Sequence, residues 1–149
     1  MRNAWATVIR RPGLVVIHPY SQERPGALVG TPPYAILRPD ASNEEIGKAA
    51  QRALEESRPS VDKPMDAQER LRARYEALRV KSEDDLRTDT QIVGVARKDG
   101  NLVVTPTENG GEAREWNFVH LLDQRIVVSE DASALQLGDA IQHGFEKCR

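Results

Sequence analysis

The sequence predicts an α+β fold, an antiparallel or mixed β-sheet meander with helices packed on it. Three observations carry this. Short runs rich in β-branched residues flank two Gly-containing turns, Pro12-Gly13 and Asp99-Gly100. Two helices are announced by capping boxes, each followed by a single apolar stripe. The unit of one strand followed by one capped helix occurs twice.

Trp5 to Arg10 and Leu14 to His18 form the first predicted hairpin. Pro19 to Pro33 contains Pro25-Gly26, Gly30 and Pro32-Pro33 and reads as a long loop. Tyr34 to Leu37 is a short strand, ended by Pro39. A helix follows over Asn43–Ser57. Ser42 and Glu45 box its start, and Ile46, Ala49, Ala50, Ala53 and Leu54 recur on one face. Pro59 stops it.

Arg58 to Lys63 is a polar connector, and Pro64 sits where a helix can begin. Met65, Leu71, Tyr75 and Leu78 then make a sparser helical stripe, and an acidic turn follows at Ser82–Leu86. Gln91 to Arg97 and Leu102 to Thr107 flank Asp99-Gly100, a strong two-residue hairpin signal. Glu108 to Gly111 turns the chain again. Trp116 to Leu121 and Arg125 to Val128 read as strands, and a last helix spans Ala134 to Cys148.

The duplicated unit is visible residue by residue. Asp40-Ala41-Ser42 and Asp131-Ala132-Ser133 stand 91 positions apart, and so do Gly47 and Gly138, Gln51 and Gln142, and Arg58 and Arg149. Ser133 and Gln136 form the second capping box, and Leu137, Ala140, Ile141, Gly144 and Phe145 repeat the stripe. Each interior glycine costs a helix about 1 kcal/mol against alanine. Close approach of the helix to a neighbour is the simplest compensation.

With 149 residues the chain fits one domain, 1–149, large enough to hold a core without staples. A net charge of -2 and a pI near 5.9 give no global field that would recruit nucleic acid or acidic lipid. No apolar run approaches the roughly 20 residues of a membrane span, and no secretory signal is evident, so a cytoplasmic location is expected. The single cysteine, Cys148, excludes an intramolecular disulfide and a multi-thiolate zinc site.

Chemistry-bearing patterns are sparse. His18, His120 and His143 make no metal-ligand spacing, so no cofactor is expected. No phosphate-binding loop or nucleophile elbow is present, and no pair of carboxylates stands out as acid and base. Cys148 sits at a helix C-terminus, the wrong end of the dipole for a thiolate. Arg70, Arg72, Arg74 and Arg79 alternate with Glu69 and Glu76, as on a salt-bridged solvent face. The residues point to a non-enzyme. A small enzyme assembled around distant residues such as His18 or His120, or a module regulating a resident protein, are the alternatives.

The series LRPDASNEEIGKAAQRALEESR, a Tyr75-centred helix and Val80-Lys81-Ser82-Glu83, in that order, resembles the immunity proteins of bacterial contact-dependent growth inhibition (CDI) systems. The matching positions are Asp40, Ser42, Ile46, Gly47, Ala49, Ala53-Leu54, Ser57-Arg58, Val80 to Glu83 and Leu137-Gly138. They cover the chain from about Tyr34 onward. The resemblance implies a cytoplasmic inhibitor of a cognate toxin domain, often a nuclease, which it blocks by binding. Contact surfaces diversify within such families, so no partner-binding residue carries over.

A nuclease site attracts phosphate and is electropositive, so an inhibitor can present carboxylates where phosphates would lie. The densest acidic run is Glu83-Asp84-Asp85, and Glu108, Glu112 and Glu115 are expected near it in the meander. These six are the candidate partner-binding residues. Equally, Ser82 can cap a short turn whose first residues favour carboxylates because of the helix dipole.

Overall fold

The computed structural model describes residues 2–24, 27–61, 66–110 and 118–149, with residues 23, 24 and 27 described by their backbone alone. The expectations placed on Pro64, Met65, Gly111 and Trp116 lie outside the described residues. Eight strands run in chain order: β1 (Ala4–Arg11), β2 (Leu14–Arg24), β3 (Ala27–Gly30), β4 (Ala35–Leu37), β5 (Gln91–Lys98), β6 (Asn101–Asn109), β7 (Phe118–His120) and β8 (Ile126–Ser129). The helices are α1 (Asn43–Glu56), α2 (Ala67–Leu78), α3 (Glu83–Arg87) and α4 (Ala134–Lys147), with a 3-10 turn at Leu122–Gln124.

All eight strands join one sheet, and the described pairings are antiparallel. The central path is β3-β2-β1-β5-β6-β7, with β4 sharing the outer edge of β2 and β8 that of β6. This establishes an α+β fold.

The duplication reaches further than the strand–helix unit. Gly13 and Gly100, the two hairpin-turn glycines, are 87 positions apart, and both have positive φ, at 88° and 80°. The 87-residue offset holds along both hairpins and the 91-residue offset along β4–α1 and β8–α4. Val16 pairs with Ile36 as Val103 pairs with Val127. Gln22 N–H donates to the Arg58 carbonyl at 3.0 Å, and Asn109 N–H to that of Arg149 at 2.8 Å. The described residues within 4–58 and 91–149 are therefore two copies of one β-hairpin, two edge strands and one helix. The copies meet where β1 pairs with β5, with Thr7 opposite Gly94 at the centre.

α1 and α4 lie together on one face of the sheet. Ser42 and Ser133 both form complete capping boxes. The two stripes close a core with Val8, Ile17, Val93 and Val104 from the central strands. Leu54, Leu137, Ile141 and Phe145 are fully enclosed there, each worth about 1.5–3 kcal/mol of burial. The other face has a smaller core, where α2 and α3 lay Leu78 and Leu86 over Ile9, Leu14, Val16 and Ile92.

The predicted Pro19–Pro33 loop is corrected: β2 continues to Arg24 and pairs with β3. Pro19 misled because proline normally ends a ladder. Its missing N–H falls where β2 passes from β4 to β3, and its carbonyl accepts from Thr31 N–H at 2.9 Å on that same side. Pro106 does the same where β6 passes from β8 to β7, accepting from Leu121 N–H at 2.9 Å. His18 is accordingly inside β2, not at a strand end. The turn expected from Glu108 is also corrected, since Glu108 and Asn109 pair with Val119 and Phe118. α2 begins at Ala67, capped by Asp66.

Candidate functional site

Among the described residues the outer sheet face is only half covered. α2 and α3 are the link between the two copies, so they occur once and roof mainly the first. What remains is a groove of about 820 Å³ centred on Thr7 and Gly94. Leu28 and Phe118 stand at its two ends in equivalent registers, opposite Gln22 and Asn109. Its open half is floored by Ala96, Val103 and Thr105 and edged by Lys98, His120 and Leu122. Alternation places these residues here: on β5 and β6 the neighbouring positions Val95, Leu102 and Val104 point into the helix-side core.

Arg74 and Glu83 form the wall on the roofed side, 3.7 Å apart and each about a quarter exposed. The Tyr75 hydroxyl donates to Glu83 at 3.1 Å. Reduced contact with water, and then the Glu83 carboxylate, raise the Tyr75 phenol above its ordinary value. Glu83 is thus a groove-wall residue held by two partners.

Asp84 is the outward carboxylate of the turn, with 85% of its side chain exposed and an ion pair to Arg87. Asp85 turns inward, accepting the Lys81 N–H at 3.0 Å and lying 3.8 Å from Arg11. Ser82 caps the turn by accepting the Asp85 N–H. Glu108 stands next to Asn109 on β6. Because the Asn109 side chain donates to the Arg87 carbonyl at 2.6 Å on the α3 side, alternation directs the Glu108 side chain to the other face of the sheet. Glu83, Asp84 and Asp85 therefore share one turn but aim their carboxylates differently, Glu108 stands apart from them, and Glu112 and Glu115 lie outside the described residues.

The other polar groups fit structural roles. His18 is 1% exposed, donates from Nδ1 to the Pro19 carbonyl at 3.0 Å, and packs between Tyr20 and Tyr34. Burial is the main force lowering its pKa, to about 4. Burial likewise pushes the Cys148 thiol up, and its S–H points to the Ile92 carbonyl at 3.5 Å. His143 lies exposed beside Glu146. Among the described residues no three His, Cys, Asp or Glu side chains gather as a metal site, and no helix is long and apolar enough to cross a membrane. The arrangement offers a shaped, partly apolar surface with charges at its margin, suited to holding another chain.

Reading the sequence for acidic runs found the turn but missed the groove. The signal was present as small and polar residues at alternate positions, Gly94 and Ala96 on β5, and Val103, Thr105 and Thr107 on β6. A strand facing a closed core on both sides carries larger apolar residues at both sets of positions.

A family model described as "CDI immunity protein" matches residues 4–148. Among solved structures, the chain is similar to a protein of unknown function from Neisseria meningitidis, with a TM-score of 0.79 and 23% identity over 99% of this chain and 96% of that one. It is also similar to a chain of a CdiA-CT/CdiI toxin and immunity complex from Yersinia pseudotuberculosis, with a TM-score of 0.75 and 19% identity over 100% of this chain and 99% of the other. At these identities the two structures speak to the fold. No curated protein matches the chain.

Proposed function

Because this chain belongs to the CDI immunity protein family, we propose that it binds and neutralises the toxin domain of its own growth-inhibition system, without turnover. The observation that carries this reading is the extent of the family match, which takes in both copies of the repeat, the α2–α3 link and every described residue of the groove. The partly uncovered sheet face supports it, since a binding protein needs shaped surface that its own core does not consume.

We further propose that the toxin is a nuclease and that inhibition occurs in the cytoplasm, where nucleic-acid substrates are exposed. The turn Glu83-Asp84-Asp85 would face the electropositive surface that such an enzyme needs for phosphate; Glu108, Glu112 and Glu115 complete the proposed contact set. The chain then occludes the toxin's active site or its substrate surface and requires no cofactor.

The test is to co-express the chain with the toxin domain encoded beside it. The expected result is a stable complex and rescued growth, with RNA or DNA cleavage by the purified toxin suppressed at equimolar ratio. A toxin that kills cells despite soluble, folded chain would remove the proposal. Toxin activity on neither nucleic acid would remove only the nuclease part.

A further inference from the structure

The two copies differ in what covers their outer faces, and the covered copy shows what the open one lacks. In the first copy Ile9 and Val16 are buried beneath α2 and α3, packed with Leu78 and Leu86. Their counterparts 87 positions on, Ala96 and Val103, face the open half of the groove. Arg11, at the end of β1, meets the Asp85 carboxylate at 3.8 Å and donates to the Asp85 and Leu86 carbonyls at 3.0 and 3.2 Å. Its counterpart is Lys98, which is exposed at the groove margin and has no ion-pair partner among the described residues.

We infer that the cognate toxin supplies what the second copy lacks, a segment carrying an apolar side chain and a neighbouring carboxylate. The apolar side chain seats on Ala96 and Val103 as Leu86 seats on the first copy. The carboxylate reaches Lys98 as Asp85 reaches Arg11. Three features of the groove fit this occupant. Ala96 is smaller than Ile9, which leaves volume for an incoming side chain. Gly94 leaves room on the floor, where the His120 ring would come within 3.7 Å of any Cβ. Leu122, 60% exposed, adds apolar rim beside the open half. This docking surface rests on the toxin-binding reading above.

The experiment measures toxin affinity and association rate for the full-length chain and three variants, with a thermal melt of each. Ala96→Trp fills the open half and is expected to weaken binding at least 100-fold. Lys98→Glu is expected to weaken it about tenfold, with an effect that shrinks as salt rises. Lys98 is exposed, so its substitution leaves the fold intact even if the tryptophan does not fit. Leu135→Trp, exposed on α4 at the opposite face of the sheet, is expected to bind as the unaltered chain does. Unaltered affinity in a folded Ala96→Trp or Lys98→Glu variant overturns the docking surface. So does a loss of affinity seen only in Leu135→Trp, or a free chain that dimerises through this face and releases on Ala96→Trp. If the unaltered chain itself does not bind the toxin, the functional reading fails instead.

Discussion

Gly47 and Gly138 put the backbones of α1 and α4 in direct contact. A Cβ at Gly47 would lie 1.7 Å from the Ala134 carbonyl oxygen, and one at Gly138 would lie 1.7 Å from that of Asn43. Asn43 and Ala134 are themselves 91 positions apart, so the two contacts are images of each other. Alanine at either site gains about 1 kcal/mol of helix propensity but forces the helices apart. Gly47→Ala is expected to lose about 3 kcal/mol or more of stability. The double variant should cost less than the summed singles, because one separation relieves both clashes. Gly144→Ala is the control: the atoms nearest its Cβ are methyl groups of Val93 and Val104 at 3.2 to 3.3 Å, which can shift. Denaturant midpoints for the four variants decide it, and a harmless Gly47→Ala would contradict the contact.

The capping boxes make a second pair of matched tests. Ser42 Oγ accepts the Glu45 N–H at 3.1 Å, and Ser133 Oγ accepts the Gln136 N–H at 3.1 Å. Ser42→Ala and Ser133→Ala should each cost about 1 kcal/mol. A midpoint unchanged in both variants would mean that the caps contribute nothing beyond solvation by water.

Ser57 and Cys148 hold equivalent places after α1 and α4 but bond differently. Ser57 is wholly buried; its hydroxyl donates to the Tyr20 carbonyl at 2.6 Å and accepts the Trp5 N–H at 3.1 Å. Ser57→Ala leaves both backbone groups without this partner and is expected to cost roughly 1–3 kcal/mol. Cys148→Ala removes only weak thiol contacts, one of them to the Ile92 carbonyl at 3.5 Å and others to Thr107, and should cost less. Equal losses in the two denaturant curves would count against this ordering.

His18 predicts an acid-side loss of stability. Its folded pKa is about 4 against an ordinary 6.5, so between these values the unfolded chain takes up a proton that the folded chain refuses. Above pH 6.5 the residue contributes no pH dependence. As pH falls from 6.5 towards 4 the folded state loses ground, in total by roughly 3 kcal/mol, and the loss levels off below that. His18→Phe should flatten this part of the stability profile relative to the unaltered chain. Parallel profiles from pH 7 to pH 4 would show that His18 is not the group responsible.

Much of this fold was legible because it rests on local signals. The Ser-x-x-Glu and Ser-x-x-Gln boxes mark both long helices, and Asp99-Gly100 fixes a tight hairpin, with φ values of 52° and 80°. What escaped notice depends on partners distant in sequence. Pro19 reads as a ladder breaker until one sees that β3 and β4 share the edge of β2 and leave a gap at its nitrogen. The fuller duplication was present as Arg10-Arg11-x-Gly13 against Arg97-Lys98-x-Gly100 and as Pro19 against Pro106, but at a different offset from the helices. The groove was least legible, because only the single α2–α3 link makes the two copies unlike.

The acidic turn needs a sharper test than reversing all of its charges. Glu83 accepts from the Tyr75 hydroxyl and faces Arg74, so a lysine there would place like charges together in the groove wall and disturb the fold. Asp85 is tied to Lys81 N–H and Arg11. Asp84 is the clean probe, since it projects outward and, among the described residues, pairs only with Arg87 one turn along. If carboxylates here steer the chain onto an electropositive toxin, Asp84→Lys should slow association several-fold at low ionic strength and leave dissociation nearly unchanged. The effect should fade near 0.5 M salt, where screening shortens to about 4 Å. If the carboxylates serve only the dipole of a five-residue helix, the substitution costs a few tenths of a kcal/mol and the association rate stays put. Stopped-flow association at two salt concentrations, on protein whose melt is unchanged, separates the two outcomes. An association rate unchanged at low salt removes the acidic turn from the binding surface and leaves the groove to carry recognition alone.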